Sequence, residues 1–374
     1  MSKDRILVTG GAGFIASHLV DALVKRGYRV RVLDCLDTQV HGKRPRWPNY
    51  RNPGAEYVRG DVRDARGVAK AVRGVSVVFH EAAAVGVGQS MYQIAKYISI
   101  NTLGTGVLLE QILEQRAEVR KMIVASSMSI YGEGKYHCRQ CGVIFPELRP
   151  RAQLRRRDWE MHCPKCDRVA QPRPTDETKP LFPTSVYAVT KRDHEELFLS
   201  VGRAYKIPAV ALRYFNAYGA RQALSNPYTG VAAIFSSRLL NRKPPLIFED
   251  GGQSRDFIHV SDIVQANLLA LEKSKADYEV FNVGTGKATS IREVAATLSK
   301  LLGFHEPAII ARQFREGDIR HCYADVSKIT RLLGYRPRIA FADGMCELVE
   351  WVKTQTARDR VEKATEELRR RGLV

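Results

Sequence analysis

Four short stretches of this 374-residue chain carry side chains at spacings that suit chemistry. Tyr187-Ala188-Val189-Thr190-Lys191 places a phenol and an ammonium four positions apart, on one face of a helix. A phenol with an ordinary pKa of about 10 can take the proton of a hydroxyl only if a cation stabilises its phenolate, and Lys191 would supply that cation. Taken alone the pair is weak evidence, because tyrosine and lysine at this spacing occur on many solvated helices. Ser126-Ser127-Met128-Ser129-Ile130-Tyr131-Gly132 follows an apolar run and puts a serine at the C-terminal end of a predicted strand, the active edge of a parallel sheet. Thr9-Gly10-Gly11-Ala12-Gly13-Phe14-Ile15-Ala16 lies between a predicted strand and a predicted helix. Glycine there permits a sharp turn and close approach to a pyrophosphate, whose charge a helix N-terminus welcomes. Ala16 stands where a third glycine is more usual, and is small enough for the same helix–strand packing. Asp34, 21 positions after Gly13, ends the next predicted strand. Its carboxylate would accept hydrogen bonds from the adenosine ribose and repel a 2′-phosphate, so the pattern predicts NAD rather than NADP. The fourth stretch is Cys138-x2-Cys141, 21 intervening residues, then Cys163-x2-Cys166. Two such pairs in a chain read as cytosolic predict tetrahedral zinc on four thiolates, which leaves no open position and makes the metal structural.

Elements that could hold these residues follow from the apolar pattern. Strands are predicted at 5–9, 29–34, 56–60, 76–80 and 121–126, with helices at 14–26, 64–72 and 91–116 between them. Repeated strand–helix–strand order predicts a doubly wound parallel sheet of Rossmann type with helices on both faces. Residues 1–132 then form the first part of a dinucleotide-binding domain. The pattern breaks over 133–174, which holds four of the seven cysteines and eight arginines, and reads as a zinc-ribbon-like insertion. Because it falls between Ser127 and Tyr187, it is expected beside the mouth of the site, helping to admit or select the ligand. Residues 175–216 complete the domain with a helix at 185–205 and a strand at 209–213. Short strands at 246–248 and 280–282, with helices near 231–240, 262–272 and 291–302, assign 217–353 mainly to a smaller α/β substrate-binding lobe. The charged stretch 354–374 reads as a solvated helix or a frayed tail.

Hydrophobic residues are 44% and charged residues 26%, an ordinary globular composition. No apolar run approaches the roughly 20 residues of a membrane span, and no leader pattern opens the chain, so a cytoplasmic protein with no membrane partner is expected. The net charge of +19 is strongly basic, with clusters at 149–157 and 369–371. No aromatic residues interleave with the basic ones as base-stacking surfaces require, so a nucleic-acid partner is not expected and the charge suits a diphosphate ligand. Cys35, Cys322 and Cys346 read as reduced cysteines, and His137 and His162 as bystanders of the cysteine pairs.

In order along the chain stand TGGAGFIA, the acid at Asp34, GDVRD, HEAAA, SSMSIYG, YAVTK and RYFNAYG. Together they resemble the extended short-chain dehydrogenase/reductases of the NAD-dependent epimerase/dehydratase family, over nearly all of the chain except the insertion and roughly the last twenty residues. The resemblance implies that Gly10, Gly13, Phe14, Ile15, Asp34, Asp61, Val62, Ala82, Asn101, Tyr187 and Lys191 serve NAD. It makes Tyr187 the base, Lys191 its electrostatic partner, Ser127 a hydrogen-bonding partner of the reacting hydroxyl and Asn101 the structural asparagine. It assigns Ser127, Asn216, Arg255, Arg315 and Asp318 to a nucleotide-diphosphate sugar, and implies a homodimer through the helices at 91–116 and 185–205. Dehydratases of the family place Asp-Glu after the active serine or threonine; this chain has Met128-Ser129, and Val85 stands where many galactose-type epimerases have a lysine. What is left is 4-epimerisation. The stretches 33–42 and 84–92, with the cysteine insertion, are similar to bacterial dTDP-L-rhamnose 4-epimerases, which interconvert that sugar with dTDP-6-deoxy-L-talose. UDP-glucose or UDP-glucuronate 4-epimerisation, another nucleotide-sugar dehydratase or reductase, and a non-catalytic NAD-bearing nucleic-acid-binding regulator are the alternatives.

Overall fold

In a computed structural model, which describes residues 4–43, 45–114 and 118–374, the apolar runs pair into one seven-stranded sheet. Its strands are β1 (Arg5–Thr9), β2 (Arg29–Asp34), β3 (Glu56–Arg59), β4 (Val77–His80), β5 (Lys121–Ser127), β6 (Ala209–Tyr214) and β7 (Val280–Val283). All pair in parallel, in the order β7-β6-β5-β4-β1-β2-β3. Every residue of β4, β5 and β6 is buried, because helices cover both faces; that is why these strands read as continuous rather than alternating apolar runs. On β1, Ile6 and Val8 point into one core and Leu7 into the other, the two-residue period of a strand.

The helices that make those cores are α1 (Phe14–Lys25), α2 (Ala65–Val72), α3 (Gly104–Glu114), α4 (Val186–Tyr205) and α5 (Val260–Glu272). Leu19, Val20 and Leu23 of α1 meet Ile263, Val264 and Ala266 of α5 on one face. Val68 and Val72 of α2, Leu108 and Ile112 of α3, and Phe198 of α4 fill the other. Strand order reverses between β1 and β4, so the loops after them diverge and open a crevice at the C-terminal edge.

The expected helix over 91–116 is not continuous. A short turn at Ile94–Tyr97 passes into a π-helical turn at Ile98–Leu103 before α3 begins, and 115–116 lie outside the described residues. Gly104 marks the change: a Cβ there would stand 2.6 Å from a Val62 methyl, so this turn presses on the β3–α2 connection as only glycine can. The strand expected at 280–282 in the smaller lobe is instead β7, paired from Val280↔Ala211 to Val283↔Tyr214 in the main sheet. Phe281 and Val283 are fully buried there, and α5 also packs on this sheet, so 217–353 contributes to both bodies.

Helices Val231–Leu240, Ile291–Leu301 and Phe341–Lys353 build a second core around Phe235, Val294, Leu298 and Leu348. The insertion is an antiparallel sheet in which Lys135–Cys138 pairs with Gly142–Ile144 on one side and Gln171–Arg173 on the other. The tail forms α6 (Val361–Arg370), which buries Ala364 and Leu368, while Arg238 holds Asp359 and Glu362 at its start. Among the described residues no helix is long and apolar enough to cross a membrane.

Candidate active site

The crevice holds a cavity of about 510 Å³, lined by Gly10, Gly13, Phe14, Ile15, Asp34, Asp61, Val62, Ala82, Ser127, Tyr187, Lys191 and Asn216. At its floor the glycine loop leaves β1. Gly10 has φ +71°, and a Cβ on it would lie 2.8 Å from the Ala82 backbone; one on Gly11 would lie 2.7 Å from a Val32 methyl. Gly13 caps α1 with no side chain, which leaves the first N–H groups of that helix turned toward the cavity for an anion. Asp34 accepts the Ala12 N–H at 3.0 Å and the Leu36 N–H at 2.8 Å, so its carboxylate is fixed at the loop it would serve. The Tyr50 hydroxyl donates to the Ala12 carbonyl at 3.0 Å, and Arg221 covers the Tyr50 ring while pairing with Asp21. The sequence pattern gave no sign of this buttress, since its parts are far apart in the chain. Asp61 is gripped by the Arg63 guanidinium at 2.6 and 2.9 Å, which holds its carboxyl below the usual range.

Ser126 and Ser127 end β5 and point to opposite faces. Ser126 donates to the buried Glu195 at 2.9 Å. Ser127 faces the same cavity as Tyr187 and accepts from the Ser129 N–H and hydroxyl at 3.1 and 2.9 Å. Ser185 caps α4 by accepting the Ala188 N–H, and the Tyr187 N–H donates to Ser90, so the first turn of α4 is pinned at two points. Lys191, 4% exposed, donates to the Ala125 carbonyl and to His194 Nδ1. Asn101, grouped above with the cofactor residues, is fully buried behind the cavity wall. Its amide donates to Thr190 and Ala84 and accepts from the Ala84 N–H at 2.7 Å, so it ties the wall to α4 and has no surface left for a cofactor.

Burial pushes the Tyr187 phenol up to about 12, opposed by Ser127, and pulls the Lys191 ammonium down to about 8, opposed by the Glu81 carboxylate. Glu81 itself is pushed up to about 7 by burial, against the Tyr214 hydroxyl that donates to it at 2.7 Å. Asn267 donates in turn to the Tyr214 oxygen. An acid inside the apolar HEAAA run was the signal for Glu81, and it was passed over.

Asn216 lines the cavity, and its buried Oδ1 has no partner among the described residues, which leaves an acceptor for a ligand. Arg255, Arg315 and Asp318 come together but do not line the cavity. Arg255 donates to the Ser254, Ile319 and Arg320 carbonyls, and Arg315 pairs with Asp318 at 2.8 Å over the Phe248 ring. None of residues 133–174 lines the cavity either, so the insertion forms no part of the cavity wall. Its hairpin is held instead against the 318–321 segment by buried charges.

Within the insertion the four sulfurs of Cys138, Cys141, Cys163 and Cys166 lie within 4.8 Å of one another, with Cys138 and Cys166 at 3.5 Å. Tetrahedral zinc with bonds of about 2.3 Å sets its sulfurs about 3.8 Å apart, so the cluster fits a metal of that kind. The backbone N–H groups of Cys141 and Gln140 favour the Cys138 thiolate and pull its pKa down to about 6. His162 is engaged by Asp158 and Asp167.

The model of the NAD dependent epimerase/dehydratase family matches residues 6–151 and 163–284. The chain belongs to that family. This enzyme is 34% identical over 357 residues to the dTDP-L-rhamnose 4-epimerase of Burkholderia thailandensis, covering 95% of this chain and 96% of the relative. Among solved structures it is similar to the UDP-glucose 4-epimerase of Thermotoga maritima with UDP-glucose (31% identity, TM-score 0.76, 93% and 98% of the two chains). It is also similar to the UDP-glucuronic acid 4-epimerase of Bacillus cereus in complex with UDP-glucuronic acid and NAD (28% identity, TM-score 0.76, 93% and 99%).

Two expected results arise from this geometry. Gly10→Ala drives a Cβ into the Ala82 backbone and strains a left-handed residue. The enzyme should purify with little NAD, read after acid release, and melt earlier by about 1–3 kcal/mol of lost stability. The second concerns pH. The Lys191 ammonium is present below about 8 and lost above it, so kcat/KM should fall as pH rises through that value. In Glu81→Gln the attraction that keeps Lys191 charged is gone, and the fall should begin at lower pH; an unmoved limb would show that Glu81 does not set this charge.

Proposed function

We propose that this enzyme is an NAD-dependent nucleotide-sugar 4-epimerase acting on dTDP-L-rhamnose and dTDP-6-deoxy-L-talose. The observation that carries the reaction is Ser127, Tyr187 and Lys191 set together on the wall of one cavity, with Met128 and Ser129 following where an elimination would need an acid and a base. The glycine loop that a Cβ would fill and the fixed Asp34 carboxylate fit a dinucleotide. Bound NAD supplies a hydride acceptor and donor at C4. Tyr187 takes the 4-hydroxyl proton as that carbon is oxidised and returns it to the 4-keto sugar once its other face is presented. Lys191 keeps the phenolate affordable, and Ser127 holds the reacting oxygen. The Asn216 carbonyl oxygen accepts from the nucleotide sugar, whose diphosphate and ribose would extend beyond the cavity lining to Arg255, Arg315 and Asp318.

The sugar assignment is supported by the cavity wall and by the Burkholderia relative. Val85, Val87, Met128, Phe215 and Ala217 offer apolar surface for a 6-methyl group. Of the lining cations among the described residues, Arg63 and Arg221 are paired with Asp61 and Asp21 and Lys191 is engaged, which leaves Lys96 to meet a glucuronate carboxylate. Ile94, Ile98, Leu103 and Val189 are exposed on the turns before α3 and on α4, and a homodimer would cover them. Zinc on the four cysteines completes the proposal, with the cytoplasm as the compartment that keeps such thiols reduced. Initial rates on dTDP-L-rhamnose, UDP-glucose and UDP-glucuronate, with no NAD added, test it. The deoxysugar should give the highest kcat/KM, and a preference for either UDP sugar would overturn the substrate assignment.

A further inference from the structure

The buried charges that fix the insertion form one lattice. Glu133 is 1% exposed, Arg149 5%, Glu249 2% and Arg320 1%. Arg149 forks onto Glu249 at 2.8 and 3.1 Å and donates to the Trp159 and Asp318 carbonyls. The Glu133 carboxylate accepts the Arg320 N–H at 2.5 Å, the His321 N–H at 3.3 Å and the Tyr136 hydroxyl at 2.8 Å. Arg320 spreads its guanidinium over Glu249, Asp250 and Glu160, and Glu160 also meets His321 at 3.3 Å. Three insertion residues, Glu133, Arg149 and Glu160, therefore hold the segment Asp318–His321 by its main chain and its side chains.

That segment is what Arg255 rests on. Its guanidinium donates to the Ile319 carbonyl at 2.7 Å and the Arg320 carbonyl at 2.9 Å, and the Asp318 carboxylate holds Arg315. Burying so many charges is costly unless each is matched in a fixed geometry. The cysteine hairpin supplies the fixity, because Tyr136, which donates to Glu133, and Cys138 share one strand of it.

We propose that the four-cysteine insertion braces the nucleotide clamp from behind, with Glu133, Arg149 and Glu160 as positioning residues for Arg255, Arg315 and Asp318. This rests on the reading of those three as the diphosphate and ribose contacts. The insertion touches neither the dinucleotide floor nor the catalytic pair, so its influence falls on nucleotide binding and spares the chemical step.

The test measures calorimetric Kd for dTDP and UDP, KM and kcat, and bound NAD, on the purified holoenzyme. Glu133→Gln and Arg149→Met should weaken nucleotide binding and raise KM about tenfold to a hundredfold, with kcat within about twofold and NAD content unchanged. Arg149→Lys should recover part of the affinity. Metal removal from the wild-type protein should weaken dTDP binding in the same direction, which decides the matter if Arg149→Met does not fold. Arg255→Leu separates the two readings. If it leaves Kd unchanged, the clamp assignment fails and the brace with it. If it weakens binding while Glu133→Gln and metal-free enzyme bind as wild type, the clamp stands and the brace is wrong.

Discussion

Tyr187→Phe is expected to lower kcat by about a thousandfold, with bound NAD and melting temperature unchanged. The substitution removes one oxygen from a ring whose position is set by other contacts: Ser185 caps its helix, the Tyr187 N–H meets Ser90, and the ring packs on Tyr97. What disappears is the phenol proposed above to take the 4-hydroxyl proton. Lys191 cannot replace it, because its ammonium is spent on Ala125 and His194. Ser127 cannot either, since a neutral hydroxyl is far too weak a base without a partner to accept its proton. Ser127→Ala should be milder, about tenfold to a hundredfold, because the phenol remains. A Tyr187→Phe enzyme that keeps more than a tenth of its kcat would remove the phenol from the mechanism.

Removing the metal site should have the largest effect on stability. Cys138→Ser combined with Cys163→Ser takes one sulfur from each pair, and elemental analysis should show zinc falling from one per chain to none. The insertion core is small: Tyr136, Ile144, Met161 and Ala170 close around the two buried sulfurs. So small a core is not expected to hold its fold without the proposed metal. Losing it should cost several kcal/mol and lower the first melting transition by about 5–10 °C. The buried cores of the main sheet and the hairpin have no residue in common, although Leu148 of the insertion packs on the former, so circular dichroism should retain its parallel-sheet signature and NAD should stay bound. A variant that lacks zinc yet melts as wild type would show that the cysteines are dispensable to the fold.

The parts legible in the sequence are those written in local code. The glycine loop, the acid at the end of β2, the serine at the end of β5 and the Tyr–Lys turn of α4 each lie within one strand–turn–helix unit, and the structure sets them around one cavity. The paired cysteines likewise announced their cluster. What escaped depends on pairing across long separations. β7 is four residues long, and nothing in Val280–Val283 says that its partner is β6 rather than a strand of the smaller lobe. Arg149 sits in a run of basic residues that reads as solvated surface; only the approach of Glu249, a hundred positions away, makes it a buried anchor. Asn101 has its amide consumed by Ala84 and Thr190, as its implied role of structural asparagine requires, and this leaves none of it for the cofactor.

The central claim is that a hydride leaves C4 and returns to the same carbon within one closed site. Proton NMR of the NAD-loaded enzyme with dTDP-L-rhamnose in D2O tests it most directly. The account predicts that the C4 epimer accumulates with no solvent deuterium on any ring carbon and with no added NADH. Deuterium at C3 or C5, or turnover that stops without added NADH, would contradict it.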